Sequence, residues 1–254
     1  MRNNFVIGNW KMKLDVDDSL ELARDLKRLT AKKAWQKQVV LCPNFLSLAQ
    51  VGKIINKTKL YLGAQDCFWE DVGAYTGEVS PKNLKVLGCK FVILGHSERR
   101  RNVHEDAHMI REETKAVLHN KLTPIVCLGE NKIEKAKKKT KIVLRRQFRA
   151  VFSDLKITDK QKVIVAYEPI WAIGNGNSLS ADKTAEVLKF LEAEAKKIFP
   201  KKIVDNNFYF IYGGSVNAEN VADFASNLTI QGLLVGSESL IAKNFVKICK
   251  AMLE

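Results

Sequence analysis

A chain of 254 residues with 46% hydrophobic residues is long enough for a full core, either as two ordinary domains or as one large α/β barrel of about 250 residues. No stretch approaches the ~20 apolar residues of a membrane span, and Met1-Arg2-Asn3-Asn4 ahead of Phe5-Val6-Ile7 is too brief for a signal peptide, so a soluble, cytoplasmic protein is expected. The formal net charge of +14 admits two explanations, attraction of an anionic substrate or binding to nucleic acid or a membrane surface, and composition does not choose between them.

Phe5-Val6-Ile7-Gly8 reads as a short buried strand followed at once by Asn9-Trp10-Lys11, after which Leu22, Leu26 and Leu29 fall on one face at helical spacing. Gln38 to Cys42 predicts a second strand, closed by Pro43, and Leu46 to Ile55 a second helical run. Leu60 to Ala64 is the third strand, and the longer loop Gln65 through Glu78 follows it. Phe91 to Leu94 is the fourth, running into Gly95-His96-Ser97-Glu98-Arg99-Arg100, with a helix from Glu105 to His119. Thr123 to Leu128 supplies the fifth strand, ending in Gly129-Glu130 ahead of a basic helix toward Phe152.

Val163 to Tyr167 is the sixth strand, and it delivers Glu168 and then the glycine-tipped loop Pro169 to Gly176. Beyond it Val187, Leu191, Ala195 and Ile198 mark one apolar face of a long helix, with Ser180 as its N-cap. Phe208 to Tyr212 is the seventh strand, before Gly213-Gly214-Ser215. Gly232 to Val235 is the eighth, before Gly236-Ser237, and a last helix ends near Leu253.

Eight strand-helix alternations with near-continuous apolar strands predict an all-parallel sheet with helices outside, and eight is the number that closes into a (β/α)₈ TIM barrel. The five prolines and 14 glycines are scattered singly and no linker appears, so residues 1–254 are expected to form one domain. A doubly wound sheet is the main alternative, but it expects a glycine-rich fingerprint after the first strand, and Gly8-Asn9-Trp10-Lys11 is not one. Cys42, Cys67, Cys89, Cys127 and Cys249 are odd in number and unpaired in spacing, so they read as reduced thiols, and no metal-ligand spacing is present. The basic run Lys132 to Lys141 holds no aromatic residue on which a base could stack and reads as the solvated start of a helix.

The polar residues that follow the strands then share one rim, the C-terminal one where active sites of this fold lie. A carboxylate at a strand's end, Glu168, is held by ordered backbone and suits a general base. His96 can donate a hydrogen bond to a carbonyl, Lys11 can offset an oxyanion, and Asn9 adds a neutral donor. Gly213-Gly214-Ser215, Gly236-Ser237 and the tip at Gly174 offer backbone N–H groups where this fold often binds phosphate. The loop from Pro169 to Gly176 has the make-up of a lid, with Trp171, Ala172 and Ile173 as its apolar inner face. Base, electrophile and phosphate cradle together suggest enolisation of a phosphorylated carbonyl compound.

Asn9-Trp10-Lys11, Gly73-Ala74-Tyr75-Thr76-Gly77-Glu78, Gly95 to Arg100, Ala166 to Gly174 and Tyr212 to Val216 resemble the signature blocks of the triosephosphate isomerase family, in that family's order and across essentially the whole chain. The resemblance implies interconversion of dihydroxyacetone phosphate and glyceraldehyde 3-phosphate through an enediolate, a reaction of glycolysis and gluconeogenesis that needs neither metal nor organic cofactor. It implies Glu168 as the base, neutral His96 as the electrophile, Lys11 and Asn9 as stabilisers, and Ser97 and Glu98 in support, Glu98 near Lys11. It implies that N–H groups of Gly174, Ser215, Gly236 and Ser237 hold the phosphate under a closing lid. It also implies a homodimer in which the Gly73 to Glu78 loop inserts into the neighbouring subunit and Thr76 reaches toward the other site.

Three positions depart from that pattern. Glu238 stands where a small residue is usual and would repel a phosphate dianion unless it points away. Gln231 stands where an Asp is common, and Asn177-Ser178-Leu179 replaces the commoner end of the lid. The competing readings are a phosphate-binding barrel isomerase of a bulkier sugar phosphate, and a basic barrel whose main partner is RNA or an acidic surface. The pattern of catalytic residues argues against the first and the lack of stacking aromatics against the second, so neither nucleic acid nor membrane is an expected partner.

Overall fold

In the computed structural model, which describes residues 4–173 and 178–254, eight parallel strands close on themselves in chain order, β1 pairing with β8 as well as with β2. They are β1 Phe5–Asn9, β2 Val39–Cys42, β3 Tyr61–Ala64, β4 Phe91–Leu94, β5 Thr123–Leu128, β6 Val163–Tyr167, β7 Phe208–Tyr212 and β8 Gly232–Val235. Around them run α1 Val16–Leu29, α2 Phe45–Ile55, α3 Pro81–Val86, α4 Ser97–Asn102, α5 Ala107–His119, α6 Lys132–Ala136, α7 Thr140–Phe152, α8 Ala181–Lys196, α9 Lys201–Asn207, α10 Val221–Ser226 and α11 Ala242–Leu253. The expected (β/α)₈ barrel is thus the observed fold. β4 to β8 coincide with their predicted spans, whereas β1 continues one residue further, to Asn9.

Helix starts follow local chemistry. The side chains of Asp15, Asn44, Ser80 and Asp106 each accept a hydrogen bond from a backbone N–H of the first turn of α1, α2, α3 and α5. Asn131 and Glu134 form a reciprocal capping box on α6, so the basic run does open a helix, but not one helix toward Phe152 as expected, since α6 ends at Ala136 and α7 begins at Thr140. Two further expectations need correction. Ser180 occupies the N-cap of α8 but its side chain makes no capping bond. Of the expected face, Leu191 and Ala195 are buried and Val187 and Ile198 pack against the core partly buried, but the face is wider than expected, taking in Thr184, Ala185, Leu188 and Glu194 as well. Arg145 of α7 at 3.1 Å and Lys197 at 2.6 Å compensate that carboxylate, which ties α7 to α8.

Two cores follow from the period-two alternation of strand side chains. Phe5 and Ile7, Val40 and Cys42, Phe91 and Ile93, Ile125 and Cys127, Ile164 and Ala166, Tyr209 and Ile211, and Leu234 fill the barrel interior. The residues between them pack outward against the helices. Edge-on aromatic contacts, Phe5 to Tyr209 at 5.1 Å, Phe5 to Phe91 at 5.6 Å and Tyr61 to Phe91 at 5.3 Å, plug the N-terminal end, each pair adding about 0.5–1.5 kcal/mol beyond area burial. The same alternation carried past the strand ends points Asn9, Glu168, Gly213 and Gly236 inward at the opposite rim. All five cysteines are buried free thiols, and no described helix is long and apolar enough to cross a membrane.

One buried cluster has no counterpart in the sequence reading. Asp66, Glu105 and Glu113 bring carboxylate oxygens within 4.8 Å of one another. Arg99 reaches Asp66 at 2.7 Å and Glu105 at 2.6 Å. Burial, reinforced by Glu105 and Asp66, pushes the Glu113 carboxyl up to about 9, so it is protonated at neutral pH.

Candidate active site

Asn9 and Lys11 are set by the exit from β1. The Asn9 side chain accepts a hydrogen bond from Lys11 N–H at 3.1 Å, and the Gln65 amide donates to the carbonyls of Lys11 and Cys42, both at 2.9 Å. These contacts hold Lys11 at φ +54°, a left-handed conformation uncommon for a residue with a side chain. Its ammonium then lies 2.7 Å from Glu98 Oε1. Glu98 thus touches Lys11, as the resemblance implied.

His96 is the N-cap of α4, and its Nδ1 accepts from Glu98 N–H at 3.2 Å. An Nδ1 occupied as an acceptor leaves the ring's proton on Nε2, the tautomer that can donate toward the cavity. Nε2 lies 3.1 Å from Glu168 Oε1. Burial pulls the imidazole's pKa down, but the carboxylates of Glu168 and Glu98 outweigh it and leave the pKa above the ordinary value. The helix N-terminal N–H on Nδ1 opposes that protonation, and departure of Glu168 toward a substrate removes its largest support.

Glu168 is 2% exposed. Its N–H donates to Leu128 O at 2.8 Å, the next rung beyond the β5–β6 ladder, which extends ordered backbone to the carboxylate residue itself. Oε2 accepts from Ser97 N–H at 3.1 Å. Burial alone would raise this carboxyl, and His96, the Ser97 N–H and Lys11 together hold it below the usual carboxylate range. Ser97 therefore meets the Glu168 carboxylate through its backbone. Two glycines shape the same spot. A Cβ on Gly129 would sit 1.8 Å from the Glu168 carbonyl oxygen, and one on Gly213 would sit 2.9 Å from Glu168 Cγ.

A cavity of about 210 Å³ is lined by Asn9, Lys11, His96, Glu168, Ser215, Gly236 and Ser237, and by Ile173. Ser237 opens a short 3₁₀ turn over Ser237–Leu240, and Ser215 Oγ donates to Ala172 O at 2.7 Å, tying the seventh loop to the start of the sixth. Gly174 lies outside the described residues, and so does the rest of the lid tip to Asn177. Thr76 is exposed on the β3–α3 loop and does not line the cavity.

The lid's flank differs from its expected role. Ile173 lines the cavity, but the Trp171 indole N–H donates to Glu130 Oε1 at 2.9 Å, an oxygen that also accepts from Tyr167 OH at 3.2 Å. An indole needs a polar partner when half-buried, and Glu130 supplies it outside the inner face. At the other flank Leu179 N–H donates to Tyr212 OH at 3.1 Å. Glu238 lines the cavity, yet Asn244 of α11 holds its Oε2 at 3.0 Å, drawing the charge toward α11. Gln231 has no part in the site. It precedes β8 at the other end of the barrel and accepts from Phe210 N–H at 2.7 Å, stitching β7 to β8.

Sequence reasoning missed Gln65, Gly129, Glu130 and Arg100. Arg100 donates to Gly95 O at 2.7 Å and Cys127 O at 3.0 Å, joining the ends of β4 and β5 beneath the site. Position at a strand's C-terminal end was the available signal for Gln65, Gly129 and Glu130.

The family model described as triosephosphate isomerase matches residues 4–252. The triosephosphate isomerase of Thermoanaerobacter pseudethanolicus is 39% identical over 248 residues, 98% of this chain and 99% of its own length. That of Chloroherpeton thalassium is 38% identical over 251 residues, covering 99% of each chain, and that of Dictyoglomus turgidum is 38% identical over 251 residues, 99% of this chain and all of its own.

Proposed function

The chain belongs to the triosephosphate isomerase family and is an aldose-ketose isomerase of triose phosphates; on that premise we propose how its own residues move the proton. Glu168 takes a proton from the hydroxyl-bearing carbon beside the carbonyl of dihydroxyacetone phosphate and returns it to the former carbonyl carbon, while the hydroxyl proton passes to the former carbonyl oxygen by way of His96, giving D-glyceraldehyde 3-phosphate through an enediolate. His96 Nε2–H polarises the carbonyl, while the Lys11 ammonium and Asn9 amide stabilise the oxyanion. Backbone N–H groups of Ser215, Gly236, Ser237 and Gly174 bind the phosphate. Ser97 and Glu98 are positioning residues for Glu168 and Lys11. Every charge that develops is met by a side chain or an N–H, so the mechanism calls on neither metal nor organic cofactor.

The observation that carries this reading is that Glu168, His96 and Lys11 line one cavity, small enough for a three-carbon substrate, together with Ser215, Gly236 and Ser237. Turnover in D₂O provides the test. A carboxylate that exchanges its proton with solvent leaves deuterium on the carbon beside the carbonyl of product and recovered substrate. Product and recovered substrate free of solvent label at every extent of reaction, together with full activity in Glu168→Gln, would mean direct hydride shift and would remove Glu168 from its role.

We further read residues 1–254 as one domain, acting in the cytoplasm in glycolysis and gluconeogenesis, with no nucleic-acid or membrane partner. The positive charge draws in the substrate dianion. A homodimer is proposed from Met12, Phe45, Leu46, Val72 and Tyr75, large apolar side chains exposed just beyond β1, β2 and β3, which are neighbours in the barrel. The β3–α3 loop is internally braced by Phe68 N–H to Val79 O at 2.9 Å and by Phe68 against Tyr75 at 4.5 Å, so Thr76 rides on an ordered projection. Sedimentation at micromolar concentration is expected to give twice the chain mass. A monomer would leave the interface and the role of Thr76 without support.

A further inference from the structure

The rim opposite the active site carries a concentration of charge that neither catalysis nor the fold employs. Between the C-terminal ends of α2 and α3 and the first residues of β3 and β4 lies a groove of about 600 Å³. Lys37, Lys53, Lys57, Lys59 and Lys90 line it, and no carboxylate does. Among the described residues none of these lysines enters an ion pair, nor do the nearby Lys85 and Lys121. Lys85 registers the crowding: burial, then Lys90 and Lys121, pull its ammonium below the ordinary value.

Lysines gather at helix C-termini for a mundane reason, because they offset the negative end of the dipole. Two helix ends present about one unit of negative charge together, against five lining lysines. Part of that demand is already met, since Lys27 Nζ binds the Ile54 carbonyl near the end of α2 at 2.9 Å. Most of the positive charge is therefore left facing solvent.

The groove is also partly apolar. Val86 is 80% exposed and Leu87 45%, and Ile55, Leu60 and Leu62 form the floor behind them. Unpaired cations spread around an apolar floor match a ligand whose negative charges are likewise spread and interleaved with apolar side chains. A concave shape admits an extended chain more readily than a flat lipid surface. The groove's aromatic residue, Tyr61, packs edge-on against Phe91 at 5.3 Å, which makes it a poor platform for a stacked base.

We propose that this lysine-walled groove on the N-terminal rim docks an acidic, apolar-interleaved extended segment of a partner protein, independently of catalysis. The probe is a short fluorescein-labelled peptide alternating Glu with Leu, titrated with the full chain and followed by anisotropy. Saturable binding is expected that weakens with added salt and falls at least about tenfold, some 1.4 kcal/mol, in Lys57→Glu/Lys59→Glu/Lys90→Glu. These side chains are exposed and unpaired, so that variant is expected to fold and to keep its kcat. A charge-matched control, Lys137→Glu/Lys138→Glu/Lys139→Glu, is expected to bind the peptide as the unaltered chain does. The proposal is overturned by absent saturation, by undiminished binding in the groove variant, or by an equal loss in the control, which would reduce the effect to net charge. It is equally overturned if a Glu-Ser peptide binds as well as Glu-Leu, or if an RNA oligonucleotide or phosphatidylserine vesicles bind more tightly.

Discussion

Glu168→Gln is expected to lower kcat and kcat/KM together by about 10³- to 10⁴-fold, with KM little changed, in steady-state assays run in both directions. The amide keeps the length of the side chain and can keep a contact to the Ser97 N–H, which is 3.1 Å from Oε2, so the loss isolates basicity from shape. A loss below tenfold would mean that another group takes the proton. The pH profile should be asymmetric in a particular way. His96 and Ser97 hold the carboxylate below the usual range, so Glu168 should add no acid limb to kcat/KM, which reports the free enzyme, above the ordinary Glu value of about 4.3. A limb above that value belongs to His96, whose pKa is raised. Both carboxylate oxygens are engaged, one with His96 and one with Ser97. Reaching a substrate carbon releases at least one of these contacts, so the base strengthens as it moves and the acid limb of kcat should lie at higher pH.

Lys11→Met is expected to cost about 10³-fold in kcat/KM, with both a higher KM and a lower kcat, because one ammonium serves substrate binding and the developing oxyanion. The side chain also leaves Glu98 without its 2.7 Å partner, a carboxylate that would then repel the substrate. Lys11→Gly removes the same charge and should be as inactive, but it suits the left-handed backbone at φ +54°. Relief of about 1 kcal/mol corresponds to a melting temperature about 2–4 °C above that of Lys11→Met. Equal melting temperatures would show that the backbone at Lys11 carries no strain.

Strand ends were legible because an apolar run stops where the chain turns polar or reaches glycine. Val163 to Tyr167 followed by Glu168 places that carboxylate on the inner face of the rim without further information, since period two fixes which way residue 168 points. The same rule placed Asn9 and Gly236. What stayed hidden depends on partners remote in the chain or on backbone groups with no signature of their own. Gln65 acts by donating to two carbonyls, Ser97 by its N–H, and Gly129 by having no side chain. The Asp66, Glu105 and Glu113 cluster joins the end of β3 to α5 and its approach, and no local pattern links them. The inner face of α8 proved wider than its apolar pattern because Thr184 and Glu194, polar in type, are buried on it.

Gly129 and Gly213 extend the idea of an essential residue. Neither has an atom that can take or give a proton, yet a single methyl group on either would collide with Glu168, at 1.8 Å from its carbonyl oxygen or 2.9 Å from its Cγ. A scan that scores each position by lost turnover would rank both beside the base, and a reader of that scan would credit them with chemistry. The hollow around the carboxylate is itself encoded, by residues whose contribution is room, and the outline of the functional site in sequence is wider than the set of groups that meet the substrate.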